Sequence, residues 1–396
     1  MRSGGFLTKT QIVIFAVACG LAVANIYYAQ PLLVTIGATF GIGEATAGLI
    51  VTLTQLGYAA GLLFLAPLGD LVENRRLILL VLCGTLVALT GAMLSPTIGV
   101  FLAASFAIGV TSVVAQILVP LASHFAPPEK RGRIVGQVMS GLLIGILLAR
   151  AVAGLLSTAI GWRGVYLVSA GLIALLIAVL ARVIPERRPD TKARYADILR
   201  SMVRIYRKEP VLRRRAVYQF AMFGSFSVFW TGITFLLSAP PFSLNTAWIG
   251  AFALAGALGA LFAPISGRLG DAGHSRIATG AALLLASASF ALTLFQTSLL
   301  LLVLGAILID LAVQTTLILG QHAIYALNPA ERSRLNTLYI STFFLGGALG
   351  SWLTGTLYTH GGWPAVVALG AGMPLAAFLL WLTEPRRIGA AAPTAS

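Results

Sequence analysis

Residues 128–165 read PEKRGRIVGQVMSGLLIGILLARAVAGLLSTAIGWRGV, and 201 positions later residues 329–366 read PAERSRLNTLYISTFFLGGALGSWLTGTLYTHGGWPAV. Twelve of these 38 aligned positions are identical, where a composition this biased gives about three by chance. The matches are spread along the stretch: Pro128 with Pro329, Arg131 with Arg332, Arg133 with Arg334, Ser140 with Ser341, Gly145 with Gly346, Gly154 with Gly355, and Gly161-Trp162 with Gly362-Trp363. The same offset carries Leu68-Gly69-Asp70 onto Leu269-Gly270-Asp271. The chain is therefore a duplication. Each copy of the stretch is a basic turn followed by a predominantly apolar run of the roughly 20 residues that a bilayer core requires, interrupted in the first copy by Arg150.

The rest of the chain has the same texture. Of 396 residues 58% are hydrophobic and 10% charged, with mean hydropathy +0.92. A soluble domain carries about 25% charged residues, so this chain cannot wet a soluble surface. A soluble enzyme, a disordered chain and a nucleic-acid-binding domain are excluded despite the net charge of +15. The 42 glycines suit close helix packing in lipid. Cys19 and Cys83 both sit in apolar runs and imply no disulfide framework. Twelve runs of spanning length lie near 11–37, 46–69, 77–96, 98–124, 134–159, 164–183, 215–239, 248–266, 277–296, 298–326, 335–358 and 364–383. Ala22-Val23-Ala24 resembles a signal-peptide cleavage site, but the uncharged stretch continues past it and cleavage would break the repeat.

The predicted fold is an all-α membrane protein, twelve transmembrane helices in two pseudo-symmetric six-helix bundles. Residues 1–185 form the first bundle, 186–213 a cytoplasmic linker and 214–396 the second. An even number of spans per copy relates the bundles by an axis along the membrane normal, a transporter arrangement. Arg2, Lys9, Arg75, Arg76, Lys130, Arg131, Arg133, Arg268, Arg276, Arg332, Arg334, Arg386 and Arg387 flank one side, with twelve more Lys and Arg between Arg182 and Arg215. Only Arg163 falls opposite. Both termini are expected in the cytoplasm. In the linker Tyr195, Ile198, Leu199, Met202 and Tyr206 share one helical face, opposite Asp197, Arg200, Arg204 and Arg207, which predicts an interfacial amphipathic helix.

Ala66-Pro67-Leu68-Gly69-Asp70 followed by Arg75-Arg76, and Gly267-Arg268-Leu269-Gly270-Asp271 followed by Arg276, resemble the loop signature of the major facilitator superfamily. The resemblance covers essentially the whole chain. It implies a conformational latch in which Asp70, with Arg75, Arg76 and Asp271, holds the cytoplasmic side closed, Asp70 capping the start of the eleventh span near Arg334 to Thr337. A carboxylate at a helix N-terminus beside Arg is physically favoured. Here Ala66 stands for the first glycine, one extra residue precedes Arg75, and Asn74 stands near the second glycine. The fifth span, Gly141 to Gly154, resembles an antiporter signature without its proline, and Asn25-Ile26-Tyr27-Tyr28-Ala29-Gln30-Pro31 with Gly161-Trp162-Arg163 looks like the bacterial arabinose-efflux-permease-like, twelve-helix drug antiporter branch.

Ionisable groups at mid-bilayer are costly and mark a pathway or a partner. Arg150 lies roughly 15 Å and Asp310 roughly 18 Å into their spans at 1.5 Å per residue, on opposite halves. Asp310, Gln314 and Gln321 form a stripe broken by Leu317. Asn25, Tyr28, Gln55, Tyr58, Ser112, Gln116 and Trp230 are further candidates for a cavity wall, although neutral residues of this kind often serve as interhelical glue. The expected substrate-binding set is Asn25, Tyr28, Gln55, Tyr58, Gln116, Arg150, Trp230 and Gln314. Asp310 is the expected proton-coupling residue, because burial favours its neutral form and a nearby guanidinium its charged one. His124, His274, His322 and His360 are scattered, and no Walker-type Gly-Lys-Ser/Thr is present. No catalytic constellation, metal site or cofactor is expected. The predicted function is proton-coupled efflux of small organic molecules across the bacterial inner membrane by alternating access. Uptake of an organic anion, suggested by Arg150, and a non-transporting receptor or scaffold are the alternatives. Partners are a small-molecule substrate, protons and the bilayer, with no nucleic acid, and the expected state is a monomer.

Overall fold

The computed structural model describes residues 6–189, 191, 194–260, 263–328 and 331–384. They form helices, with no strand among them. In chain order these are α1 (Lys9–Ala24), α2 (Leu33–Phe40), α3 (Glu44–Phe64), α4 (Asn74–Leu94), α5 (Ile98–Thr111), α6 (Val114–His124), α7 (Arg131–Val183), α8 (Tyr195–Lys208), α9 (Pro210–Ser238), α10 (Thr246–Phe252), α11 (Leu254–Ala260), α12 (Ala263–Asp271), α13 (Ser275–Thr293), α14 (Leu299–Tyr325) and α15 (Arg332–Leu382). Three 3-10 turns, Gln30–Leu32, Ala66–Asp70 and Pro128–Lys130, lie before α2, α4 and α7. Arg2, Lys192, Arg386, Arg387 and the repeat residue Pro329 lie outside the described residues.

Nine described segments are long and apolar enough to cross a bilayer. Two of them exceed one crossing: α7 has 53 residues and α15 has 51, about 75–80 Å of helix against a core of about 30 Å. Each is broken at the glycine that the repeat pairs. Gly161 has φ 75° and Gly362 φ 60°, the left-handed region that glycine enters without steric cost. Each break is followed by a buried tryptophan with a satisfied N–H: Trp162 Nε1 donates to Thr39 Oγ1 at 2.9 Å, and Trp363 Nε1 to the Thr293 carbonyl at 2.7 Å. The two tryptophans thus hold equivalent places, both at the end away from the basic turns. The first expected span, 11–37, is instead two shorter helices. The α-helix stops at Ala24, the chain runs through turns into the 3-10 turn Gln30–Leu32, where Pro31 has no N–H to continue an α-helix, and it re-enters helix at Leu33.

Glycines set how closely the helices approach. Within the first half, α7 lies on α1 where a Cβ on Gly145 would strike the Gly20 backbone. Within the second, α15 lies on α9 where a Cβ on Gly346 would strike the Phe220 backbone, within one residue of the position the repeat offset gives. The halves meet in a second symmetric pair. Gly154 of α7 abuts Thr246 and Gly250 of α10, while Gly355 of α15 abuts Glu44 and Ala45 of α3. Thr158 and Thr246 share a hydrogen bond of 3.0 Å, and Thr359 reaches Glu44 at 3.5 Å. Both contacts lie at the end opposite the basic turns. Gly145→Val and Gly346→Val should each lower the unfolding midpoint of the detergent-solubilised protein, by an overpacking cost of about 1–3 kcal/mol. Gly171→Val, where an added Cβ meets nothing within 4 Å, is the control and should be near neutral.

At the basic end the linker helix α8 is amphipathic, but its apolar face is turned to protein. Ile198, Met202 and Ile205 are buried, Ile205 against Leu212, Ala216, Ile324, Leu335 and Tyr339, and the Tyr195 hydroxyl donates to the Phe64 carbonyl at 2.9 Å. The second half is closed there by an ion pair the sequence did not single out. Arg215 Nη2 meets Glu384 Oε1 at 2.9 Å with both side chains buried, and Thr279 and the Tyr218 hydroxyl complete its hydrogen bonds. That network ties α9 and α13 to the end of α15 and satisfies the buried charges.

Candidate functional site

Arg150 projects from α7 at the boundary of the halves and is 5% exposed. Its Nε donates to Gln30 Oε1, on the 3-10 turn after α1. Three aromatic rings surround the guanidinium, with centroids 4.9 Å away for Tyr27, 5.4 Å for Phe226 and 4.7 Å for Trp230. Tyr27 belongs to the first half, and Phe226 and Trp230 to α9 of the second. Cation–π attraction of this sort is worth about 2 kcal/mol or more when desolvated.

Asp310, on α14, is not in direct ion contact with Arg150. Its Oδ1 accepts a 3.0 Å hydrogen bond from Trp230 Nε1. One indole thus touches both charges, offering its face to the guanidinium and its N–H to the carboxylate. Small residues make room for this: a Cβ on Gly256 would strike both Asp310 and Trp230, and one on Gly259 would strike Asp310 and the α14 backbone. The repeat does not duplicate the charges. Shifted by 201, Arg150 and Gln30 become Ser351 and Thr231, which share a neutral hydrogen bond of 3.3 Å. The functional chemistry is therefore asymmetric on a symmetric frame.

Between Arg150, Gln30, Trp230 and Thr234 lies a small cavity whose apolar walls are Pro31, Ile233, Ile249 and Ala253. Pro31 and Ile249 also bound a cavity of about 330 Å³ at the far end, lined further by Thr35, Thr158, Asn245 and Thr246.

Of the residues predicted from sequence, Arg150, Trp230 and Asp310 come together. The others do not join them directly. Asn25 Oδ1 accepts from the Ser169 hydroxyl at 2.7 Å, and Tyr28 is buried nearby. Gln55 Nε2 donates to Ser227 Oγ at 3.0 Å across the halves. Tyr58 packs at a tilt against Phe344 with centroids 4.4 Å apart and accepts from Gln116 at 3.4 Å. Gln314 is half-buried and makes no hydrogen bond among the described residues, and Gln321 turns away to Asn336 at 3.1 Å. At the basic end Asp70 is exposed, with no hydrogen bond or ion pair among the described residues. Arg75 reaches Glu186 at 3.4 Å and the Ala181 carbonyl, Arg76 is exposed, and Asp271 meets His322 at 3.4 Å. Asn74, in place of a glycine, is buried and donates to the Gly69 carbonyl at 2.6 Å.

Gln30, Tyr27 and Phe226 were missed. The signal for the first two was Pro31: once α1 ends at Ala24, helical spacing no longer says which of residues 25–30 face inward.

The sequence profile of the Major Facilitator Superfamily matches residues 14–272 and 239–395. The chain belongs to the major facilitator superfamily. It is 45% identical over 379 residues to the uncharacterized transporter YgaY of Escherichia coli O157:H7, spanning 95% of each. It is 32% identical over 389 residues to "Probable transporter SCO4007" of Streptomyces coelicolor, spanning 97% of this chain and 89% of that one. Among solved structures the nucleoside transporter NupG superposes with TM-score 0.76 at 15% identity, over 94% of this chain and 99% of the other, a likeness of fold. The superfamily relationship makes this a multi-pass membrane protein related to transporters.

Proposed function

We propose that this chain is a secondary active transporter that exports small organic molecules across the bacterial inner membrane in exchange for protons. One observation carries the reading: a buried Arg150 from the first half and Asp310 from the second both touch Trp230. Rocking the halves about their interface must change that three-way contact, which ties substrate, proton and conformation together. The chain then crosses the membrane twelve times, α7 and α15 each counting twice and α1 with α2 once. Residues 1–185 and 214–396 are the two rocking bundles, 186–213 the linker, and the basic end with both termini is cytoplasmic by its excess of Lys and Arg. The working unit is a monomer, because both charges of the site come from one chain.

Flux into proteoliposomes with and without an imposed pH gradient tests the function. A gradient acid inside should drive accumulation of an exported solute in inside-out vesicles. No flux of any solute would leave a receptor or scaffold, and gradient-independent flux would remove the coupling.

The latch belongs to the same cycle. With the cytoplasmic end shut, Asp70 caps the start of the eleventh span near Arg334 to Thr337, with Arg75, Arg76 and Asp271 around it. Asp70→Asn should shift the population toward inward-open, read as faster labelling of a single cysteine placed in the cavity from the cytoplasmic side. Unchanged labelling would sink the latch.

A further inference from the structure

We infer that Arg150 and Gln30 form a clamp for the carboxylate of a monoanionic substrate with an apolar or aromatic body. This deepens the transporter reading and rests on it. The guanidinium is buried, and no carboxylate lies within 4.0 Å of it among the described residues. A buried charge without a counter-ion in contact is costly, even one held by Gln30 and three rings. Its Nη2 and the Gln30 Nε2 are both buried donors with no acceptor. The orientation of the Gln30 amide is dictated by chemistry: Arg150 offers only donors, so the amide oxygen must face it and the NH₂ is left over. Gln30 is 1% exposed, and Thr234 Oγ1 donates to its backbone carbonyl at 3.1 Å.

Two leftover donors on adjacent side chains, one of them cationic, ask for a ligand that only accepts. A carboxylate does so, and its two oxygens suit a guanidinium fork. Beyond these two side chains and those of Thr234 and Trp230, the inner cavity is lined by Pro31, Ile233, Ile249 and Ala253, with neither a second cation nor an acidic group among its lining residues. Asp310 reaches the guanidinium only through Trp230, so the single positive charge lining the cavity fits at most a monoanion; a phosphate dianion would exceed it. The inner cavity has only about 10 Å³, room for about one water. The carboxylate therefore enters as the site widens toward the neighbouring cavity of about 330 Å³ that shares Pro31 and Ile249. That cavity, of a size in the range of small-molecule sites, would take the ligand body. Tyr27, Phe226 and Trp230 already cover the guanidinium faces, leaving its edge for the ligand.

The test uses the purified full chain in detergent and reads the unfolding midpoint with benzoate, phenylacetate and octanoate against their neutral amides. A ligand that binds only the folded state raises the midpoint with concentration. The carboxylates should raise it and the amides should not, with chloride and inorganic phosphate also without effect. Arg150→Gln should abolish the shift, and Gln30→Leu should weaken carboxylate binding on the order of 10-fold, a hydrogen bond to a charged group. Equal protection by amide and acid, by chloride or by phosphate overturns the clamp, as does undiminished carboxylate binding in Gln30→Leu. If Arg150→Gln fails to fold, the amide comparison and Gln30→Leu still decide. Carboxylate binding without any flux would keep the clamp and sink transport; flux of other solutes with no preference for acid over amide would do the reverse.

Discussion

Asp310→Asn should abolish accumulation of substrate driven by a pH gradient while leaving exchange at equal pH on both sides intact. Asparagine has nearly the shape of the carboxyl and keeps a carbonyl oxygen for the Trp230 N–H, which Asp310 now accepts at 3.0 Å. What it loses is the proton. In the wild-type protein the charged carboxylate holds the indole through a charge-assisted hydrogen bond, stronger than the bond to a neutral acid. Protonation therefore slackens the grip on Trp230, and Trp230 lies against Arg150 on the opposite half. Asparagine is fixed in the slack condition, so the site still binds and the halves still rock, but no proton is carried. Paired measurements in proteoliposomes, counterflow at equal pH and uptake against an imposed gradient, check this. An Asp310→Asn protein that still concentrates substrate would remove Asp310 from coupling, and one that loses both activities would make it structural.

The second large effect is expected at Trp230. Trp230→Phe keeps an aromatic face for the guanidinium, 4.7 Å from the ring centroid in the native protein, and deletes the N–H that holds Asp310. Losing a hydrogen bond to a charged group costs about 1.5–3 kcal/mol, so the link between proton and substrate should weaken on the order of 10- to 100-fold. Substrate affinity at fixed pH should change much less. Trp230→Ala removes the face as well, and should add a binding defect of about 2 kcal/mol, the worth of a desolvated cation–π contact. The measurement is the substrate affinity at two pH values: pH dependence should flatten in Trp230→Phe with affinity retained. A Phe variant with wild-type pH dependence would show that the indole does not transmit, whatever Asp310 itself does.

The pattern along the chain determined the membrane class, the duplication and the fold, because each is written in one dimension. Hydrophobicity in runs of spanning length reflects the solvent around each helix. A glycine needed at a left-handed break, such as Gly161 or Gly362, or at a close crossing, such as Gly145 or Gly346, recurs at the same offset because the backbone there is the same. Arg150 and Asp310 were legible for a similar reason: a charge in an apolar run stands out whatever surrounds it. Partners carry no such mark. Trp230 lies 80 residues from Asp310 and as many from Arg150, and only the packing of α7, α9 and α14 puts its indole between them in place of a direct ion pair. Gln30 and Tyr27 were hidden because the helix breaks off ahead of Pro31, which resets the phase on which facing residues are counted. Asn25, Gln55 and Gln116 looked alike in sequence and became ties to Ser169, Ser227 and Tyr58. Polar side chains in lipid take whichever partner the packing brings within reach, so tertiary structure alone decided which of them bind one another and which donors, Arg150 Nη2 and Gln30 Nε2, were left for a ligand.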